Sequence, residues 1–158
     1  MKYIIMCGGQ YKGFDVPRWL TPVGNETLVE RTIRLLKESG VTDIAISSNF
    51  NYFDNLGVPV LKHDNQYRCG DPTSRHTWMW AFYPTDEPVC YIFGDVLFSP
   101  EAIKKIVETE TDDIEFFASA PPFAPNYSRT YAEPFAFKVV NQKHFHQAVA
   151  DKRMYYHM

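Results

Sequence analysis

The sequence predicts an α/β fold, a three-layer α/β/α sandwich around a mostly parallel, Rossmann-like central sheet. Three observations carry that expectation. Short apolar runs at residues 3–7 and 89–93 read as strands buried on both faces. Helical patterns alternate with such runs, as βαβ crossovers require. A chain of 158 residues, 45% hydrophobic and 22% charged, is sized and composed for one core. One domain over residues 1–158 is therefore expected.

Residues 3–7 form the first expected strand, cut off by Gly8-Gly9. Residues 8–23 carry Gly, Pro and Asp punctuation without a helical period and read as loop. A helix is predicted over 26–39, with Asn25 as N-cap and Gly40 as its stop. Leu28, Ile33 and Leu36 make its apolar stripe, while Glu30, Arg34 and Lys37 face water. Strands follow at 41–46 and 58–61, with Pro59 marking the latter as short or at an edge. Asp71-Pro72-Thr73-Ser74 reads as a helix start leading into residues 76–82. Residues 89–93 form a strongly apolar strand closed by Gly94-Asp95. Ser99-Pro100 supplies an N-cap and a first-turn proline for a helix that buries Ile103, Ile106 and Val107. Strands at 114–120 and 135–140 bracket a proline-rich loop at 121–134, and a last helix begins near Gln142.

Composition narrows the function classes. A net charge of −3 and a pI near 5.9 supply no global positive field for nucleic acid or anionic lipid. Cys7, Cys69 and Cys90 are odd in number and lack Cys-x-x-Cys spacing. That argues against a disulfide framework or a structural zinc site and suits a reducing compartment. No run approaches the roughly 18 apolar residues of a membrane helix. The expectation is a soluble, cytoplasmic protein that binds neither nucleic acid nor membrane.

In parallel sheets ligands bind beyond the carboxyl ends of the strands, which singles out Gly8-Gly9 and Gly94-Asp95. Two glycines let backbone N–H groups approach an anion, and Lys12 adds a countercharge. A plain tight turn is the alternative, for neither Gly-x-Gly-x-x-Gly nor Gly-Lys-Ser/Thr is present. Asp95, directly after a buried strand, is placed to hold Mg²⁺ through a hard oxygen or, alternatively, to turn the chain before Pro100. His144 and His146 lie two apart on an expected helix and make a poor metal pair. Asp64 reads as solvated, and Trp78, Met79, Trp80 and Phe82 as core. Arg75 and His76 adjoin the second candidate loop.

The order of motifs adds to this. Strand, Gly8-Gly9 with Lys12, Pro17-Arg18-Trp19-Leu20-Thr21-Pro22-Val23-Gly24, helix, then Gly40-Val41-Thr42-Asp43-Ile44 resembles the amino-terminal signature of the nucleotidyltransferases that activate sugar phosphates and phosphocholine. That family reads Ala-Gly-Gly-x-Gly-x-Arg and then Pro-Lys-x-Leu-x-Pro-Val. The resemblance continues through residues 67–81, Phe93-Gly94-Asp95-Val96 and Glu133-Pro134-Phe135-Ala136-Phe137. Departures are specific: Tyr11 stands at the third glycine, Lys12 one place before the loop arginine, and Arg18 where the family has lysine.

The resemblance implies a nucleotide-diphospho-sugar transferase type of fold. It also implies transfer of a nucleoside monophosphate from an NTP to a phosphorylated acceptor, with pyrophosphate released. Gly8, Gly9, Gln10, Thr73 and Ser74 would bind the nucleotide, and Lys12 and Arg18 would neutralise the triphosphate. Asp95 would hold Mg²⁺. Asp151, the only late aspartate, is the candidate second metal ligand in a carboxyl-terminal portion that is short for the family. Residues 67–81 lean towards CTP. The acceptor stays open between a sugar phosphate and a phosphocholine-like molecule, and a homo-oligomer is compatible with the sequence. Two other readings stand beside this one. A glycosyltransferase of the related fold would carry Asp-x-Asp, where this chain has the single Asp95. A non-catalytic nucleotide-binding remnant would explain the altered loop.

Overall fold

Both faces of β1 (Lys2–Met6) are buried, so its side chains serve two cores at once. Tyr3 and Ile5 point to one layer, Ile4 and Met6 to the other. That double burial accounts for a continuous apolar run where a half-exposed strand would alternate. The structure is a computed structural model and describes residues 1–9, 15–63, 77–121 and 130–155.

β1 is central in a six-stranded sheet of order β5-β4-β1-β6-β8-β7. It pairs in parallel with β4 (Ile44–Ser48) on one side and β6 (Val89–Phe93) on the other. β5 (Val60–Lys62) adds a parallel edge, as Pro59 led us to expect. β7 (Ile114–Ser119) and β8 (Glu133–Val139) pair antiparallel, and β8 runs antiparallel to β6. The sheet is therefore mixed and mostly parallel. A separate two-stranded ribbon joins β2 (Pro22–Val23) to β3 (Glu26–Thr27).

That ribbon corrects the first helix boundary. Residues 26–27 are spent on β3, and α1 runs Leu28–Glu38 with Thr27 as its N-cap in place of Asn25. The Thr27 backbone N–H donates to Glu30 Oε2 at 2.7 Å, and the Glu30 N–H donates to Thr27 Oγ1 at 3.4 Å, a reciprocal capping box. Gly40, at φ +84°, ends the helix where a side chain would be strained. The second strand begins at Ile44, not 41, because residues 41–43 complete the turn out of α1. Residues 77–81 form a 3-10 helix, where the aromatic run suggested an α-helix. α2 (Pro100–Glu108) starts as expected, with Ser99 Oγ accepting from the Ala102 N–H.

α1 and α2 cover one face, burying Val29, Ile33, Leu36, Ile103 and Ile106 against Ile5, Ile46 and Ile92. α3 (Gln142–Tyr155) and residues 78–83 cover the other. Phe82 packs edge-on against Tyr91, Phe137 and Phe145 with ring centroids 5.2–5.5 Å apart, an arrangement favoured by the ring quadrupoles. Lys138 is 4% exposed on β8, yet its Nζ donates to the carbonyls of Val107 and Thr109. It thereby satisfies the end of α2, where a cation also meets the helix dipole. No described helix is long and apolar enough to cross a membrane.

Candidate functional site

The topology fixes where a ligand can sit. From β1 the chain crosses outward to β4 and β5, then returns to place β6 on the opposite side of β1. The strand order reverses there, the position beyond the carboxyl ends of the strands where open α/β sheets bind ligands. A cavity of about 450 Å³ occupies that position. Gly8 after β1, Arg18 and Trp19 from a 3-10 turn, and Phe93 and Asp95 from the end of β6 line it. Its far wall is Ser119 and Glu133-Pro134-Phe135, paired across β7 and β8, and its floor includes Trp78 and Ala81.

Close backbone approach builds the crevice. The Gly94 N–H donates to the Met6 carbonyl at 3.0 Å, extending the β1–β6 ladder by one bond. A Cβ on Gly94 would lie 2.6 Å from Cys7 Sγ, 2.9 Å from the Met6 oxygen and 3.1 Å from Trp19 Cδ1. Only glycine lets Trp19 seat against that backbone. Trp19 is 4% exposed and packs on Phe50 and Phe53 at 5.7 and 6.0 Å. Its burial holds the 3-10 turn over the end of β6, and the preceding residue, Arg18, then meets Asp95: Nη1 to Oδ2 is 2.8 Å. Arg31 Nε donates to the Phe98 carbonyl at 3.2 Å, tying the segment after Asp95 to α1.

Gly8 shows the same economy of space. A Cβ there would stand 2.9 Å from Ala81 Cβ and 3.2 Å from the His63 ring. Gly9 follows at φ +87°, a conformation that favours glycine. Ser48 Oγ donates to the Cys7 carbonyl at 2.8 Å and accepts from the Phe50 N–H at 3.1 Å, so β4 braces the start of this loop. Burial pushes the Cys7 thiol well up, and the Asp95 carboxylate adds to the shift.

Three residues expected from the sequence, Gly8, Arg18 and Asp95, thus meet in one cavity, with Gly9 next in the chain. Gln10, Lys12, Thr73 and Ser74, together with Asp64, Arg75 and His76, lie outside the described residues. Asp151 is on α3, exposed, and accepts from Gln147 Nε2 at 2.8 Å; it does not line the cavity. His146 Nε2 lies within hydrogen-bond range of Thr85, a contact that ties α3 to the segment before β6, and His144 Nδ1 lies within range of its near neighbour Asn141. Among the described residues no group of three or more His, Cys, Asp or Glu is arranged to hold a metal. Trp19 and Gly94 stand in segments that the sequence singles out, but with no role of their own there, and Ser119 is not among the expected site residues. Gly94 and Trp19 matter through a contact that brings sequence-distant segments together. Ser119 carries no local signal at all, because strand pairing alone brings it to the cavity.

The model of the MobA-like NTP transferase domain family matches residues 3–155. Among solved structures, Rv0371c from Mycobacterium tuberculosis H37Rv is similar at a TM-score of 0.59 and 12% identity, over 95% of this chain and 73% of that one. CTP:phosphocholine cytidylyltransferase (LicC) from Streptococcus pneumoniae is similar at 0.47 and 19% identity, over 89% of this chain and 68% of that one. A comparison with curated protein sequences finds no match.

Proposed function

The chain belongs to the MobA-like NTP transferase family, and on that premise we propose that it transfers a nucleoside monophosphate from an NTP to a phosphorylated small molecule, releasing pyrophosphate. The observation that carries this reading is the cavity at the β1–β6 switch point, where glycine backbone, a guanidinium and a carboxylate converge. An acceptor phosphate is already a nucleophile. The reaction therefore asks the protein for alignment and charge neutralisation more than for a strong base.

Gly8 lines the cavity, and with Gly9 it would bring backbone N–H groups to the nucleotide. Gln10 would assist them, and Thr73 and Ser74 would face the base or ribose. Arg18 would grip phosphate oxygens bidentately, a task lysine performs only as a point charge, and Lys12 would add a second positive charge. Asp95 fits Mg²⁺ in one specific sense. This cation is commonly held by one or two protein carboxylates together with substrate phosphates, and Asp95 faces the cavity beside the guanidinium expected to hold those phosphates, with Glu133 on the far wall. When bound there the ion would withdraw charge from the α-phosphate.

The aromatic surfaces of Trp78, Phe93 and Phe135, with Glu133 on the same wall, would receive the acceptor. Such walls suit a sugar's C–H face or a cationic head group such as choline. CTP is the favoured donor, on the resemblance of residues 67–81 to cytidylyl enzymes. Pyrophosphate release from each of the four common NTPs, against a panel of phosphorylated sugars and alkylamines, tests the reading. Release that needs one NTP and one acceptor together is expected. Hydrolysis of a nucleotide sugar without pyrophosphate would favour a glycosyltransferase, and nucleotide binding without any turnover a non-catalytic domain.

A further inference from the structure

The Arg18–Asp95 contact has a consequence for the order in which ligands enter. Asp95 Oδ2 lies 2.8 Å from Arg18 Nη1, and the two side chains are only 27% and 22% exposed, so the pair is partly shielded from screening by water. A divalent cation approaching that carboxylate meets a guanidinium already on it. It would have to displace a charge-assisted hydrogen bond and then sit beside the displaced positive charge. Nucleotide phosphates change both conditions, because they offer the guanidinium a better bidentate partner and the cation further hard oxygens.

We propose that the Arg18–Asp95 ion pair is a gate that keeps divalent cations off Asp95 until a triphosphate draws Arg18 away, so that metal enters as the metal–nucleotide complex. The proposal rests on the nucleotidyltransferase reading above. Trp19 makes the gate a built feature, since its burial against Gly94 fixes the turn that carries Arg18. Glu133 faces the same cavity and is the other carboxylate a cation could choose, so the site of binding has to be assigned.

Mn²⁺ binding, followed by electron paramagnetic resonance of the free ion, tests this on the whole chain. Wild type without nucleotide should bind Mn²⁺ weakly. Arg18→Ala should bind it about tenfold more tightly, the size expected for removing one partly screened like charge. Adding Asp95→Asn to Arg18→Ala should abolish that gain, and thermal melts will confirm that each variant is folded. A non-hydrolysable triphosphate should raise Mn²⁺ retention in wild type and do so much less in Asp95→Asn. If Arg18→Ala binds nucleotide-free Mn²⁺ no better than wild type, or if the gain persists without Asp95, the gate is wrong. If the triphosphate brings no Asp95-dependent Mn²⁺ to wild type, the metal role of Asp95 fails as well, which separates the two conclusions.

Discussion

Gly94→Ala adds one methyl group at the tightest point of the site. That carbon would lie 2.6 Å from Cys7 Sγ and 2.9 Å from the Met6 carbonyl oxygen, with Trp19 Cδ1 at 3.1 Å. None of the three can yield cheaply. Cys7 is fully buried with a short side chain, the Met6 oxygen is held by the Gly94 N–H, and Trp19 is wedged against Phe50 and Phe53. Overpacking of this kind costs about 1–3 kcal/mol. At roughly 2–4 °C per kcal/mol for a chain of this size, the melting temperature should fall by about 2–12 °C. Relief requires the end of β6 to move from β1 or Trp19 to tilt, and either movement distorts the cavity wall that Arg18, Trp19 and Asp95 form. Nucleotide affinity in the folded variant should therefore fall as well. Adding Cys7→Ala should restore only part of the stability, because the Met6 oxygen remains. Calorimetric melts and isothermal titration check both parts. A Gly94→Ala protein melting within about 1 °C of wild type, with unchanged nucleotide affinity, would refute the packing reasoning.

Three further expectations follow from the same structure. Gly8→Ala should weaken nucleotide binding, and pairing it with Ala81→Gly, which removes the atom 2.9 Å away, should recover much of the loss in a titration; no recovery would mean that the His63 side dominates. Arg18→Ala should weaken triphosphate binding far more than nucleoside binding, with the difference shrinking as salt rises; equal losses would make Arg18 merely structural. Glu26 is gripped bidentately by Arg34, at 2.9 and 2.6 Å, and contacted by Arg31, which together hold its carboxyl below the usual range. A depressed folded pKa adds stability above the unfolded pKa and loses it as pH falls through the folded value. The melting temperature should accordingly drop below about pH 4, and Glu26→Gln should flatten that part of the profile; an unaltered acid limb would contradict it.

Periodicity made the layered architecture legible, since 3–7 and 89–93 could be read as doubly buried strands from their unbroken apolar runs alone. Ser99-Pro100 and Gly40 likewise marked helix ends through local chemistry, and both stand where expected. What escaped was set by distant partners. The antiparallel return of β8 onto β6 depends on how the chain crosses the sheet, which no window of residues encodes. The Asn25 cap was displaced by Thr27 because the β2–β3 ribbon claimed the intervening residues. In the site, Gly8, Arg18 and Asp95 were visible because each sits in a motif. The role of Gly94 was not, because it lies in the space its missing side chain leaves for Cys7 and Trp19.

The central claim is that this cavity carries out metal-assisted nucleotidyl transfer through Asp95. Transfer of label from an α-phosphate-labelled NTP to a phosphorylated acceptor, measured across a Mg²⁺ titration in wild type and Asp95→Asn, tests it most directly. The account predicts Mg²⁺-dependent transfer by wild type and a loss of orders of magnitude in Asp95→Asn, which should fold normally because asparagine serves a turn nearly as well. Near-normal Mg²⁺-dependent transfer by Asp95→Asn, with at most a small loss of melting temperature, would contradict it.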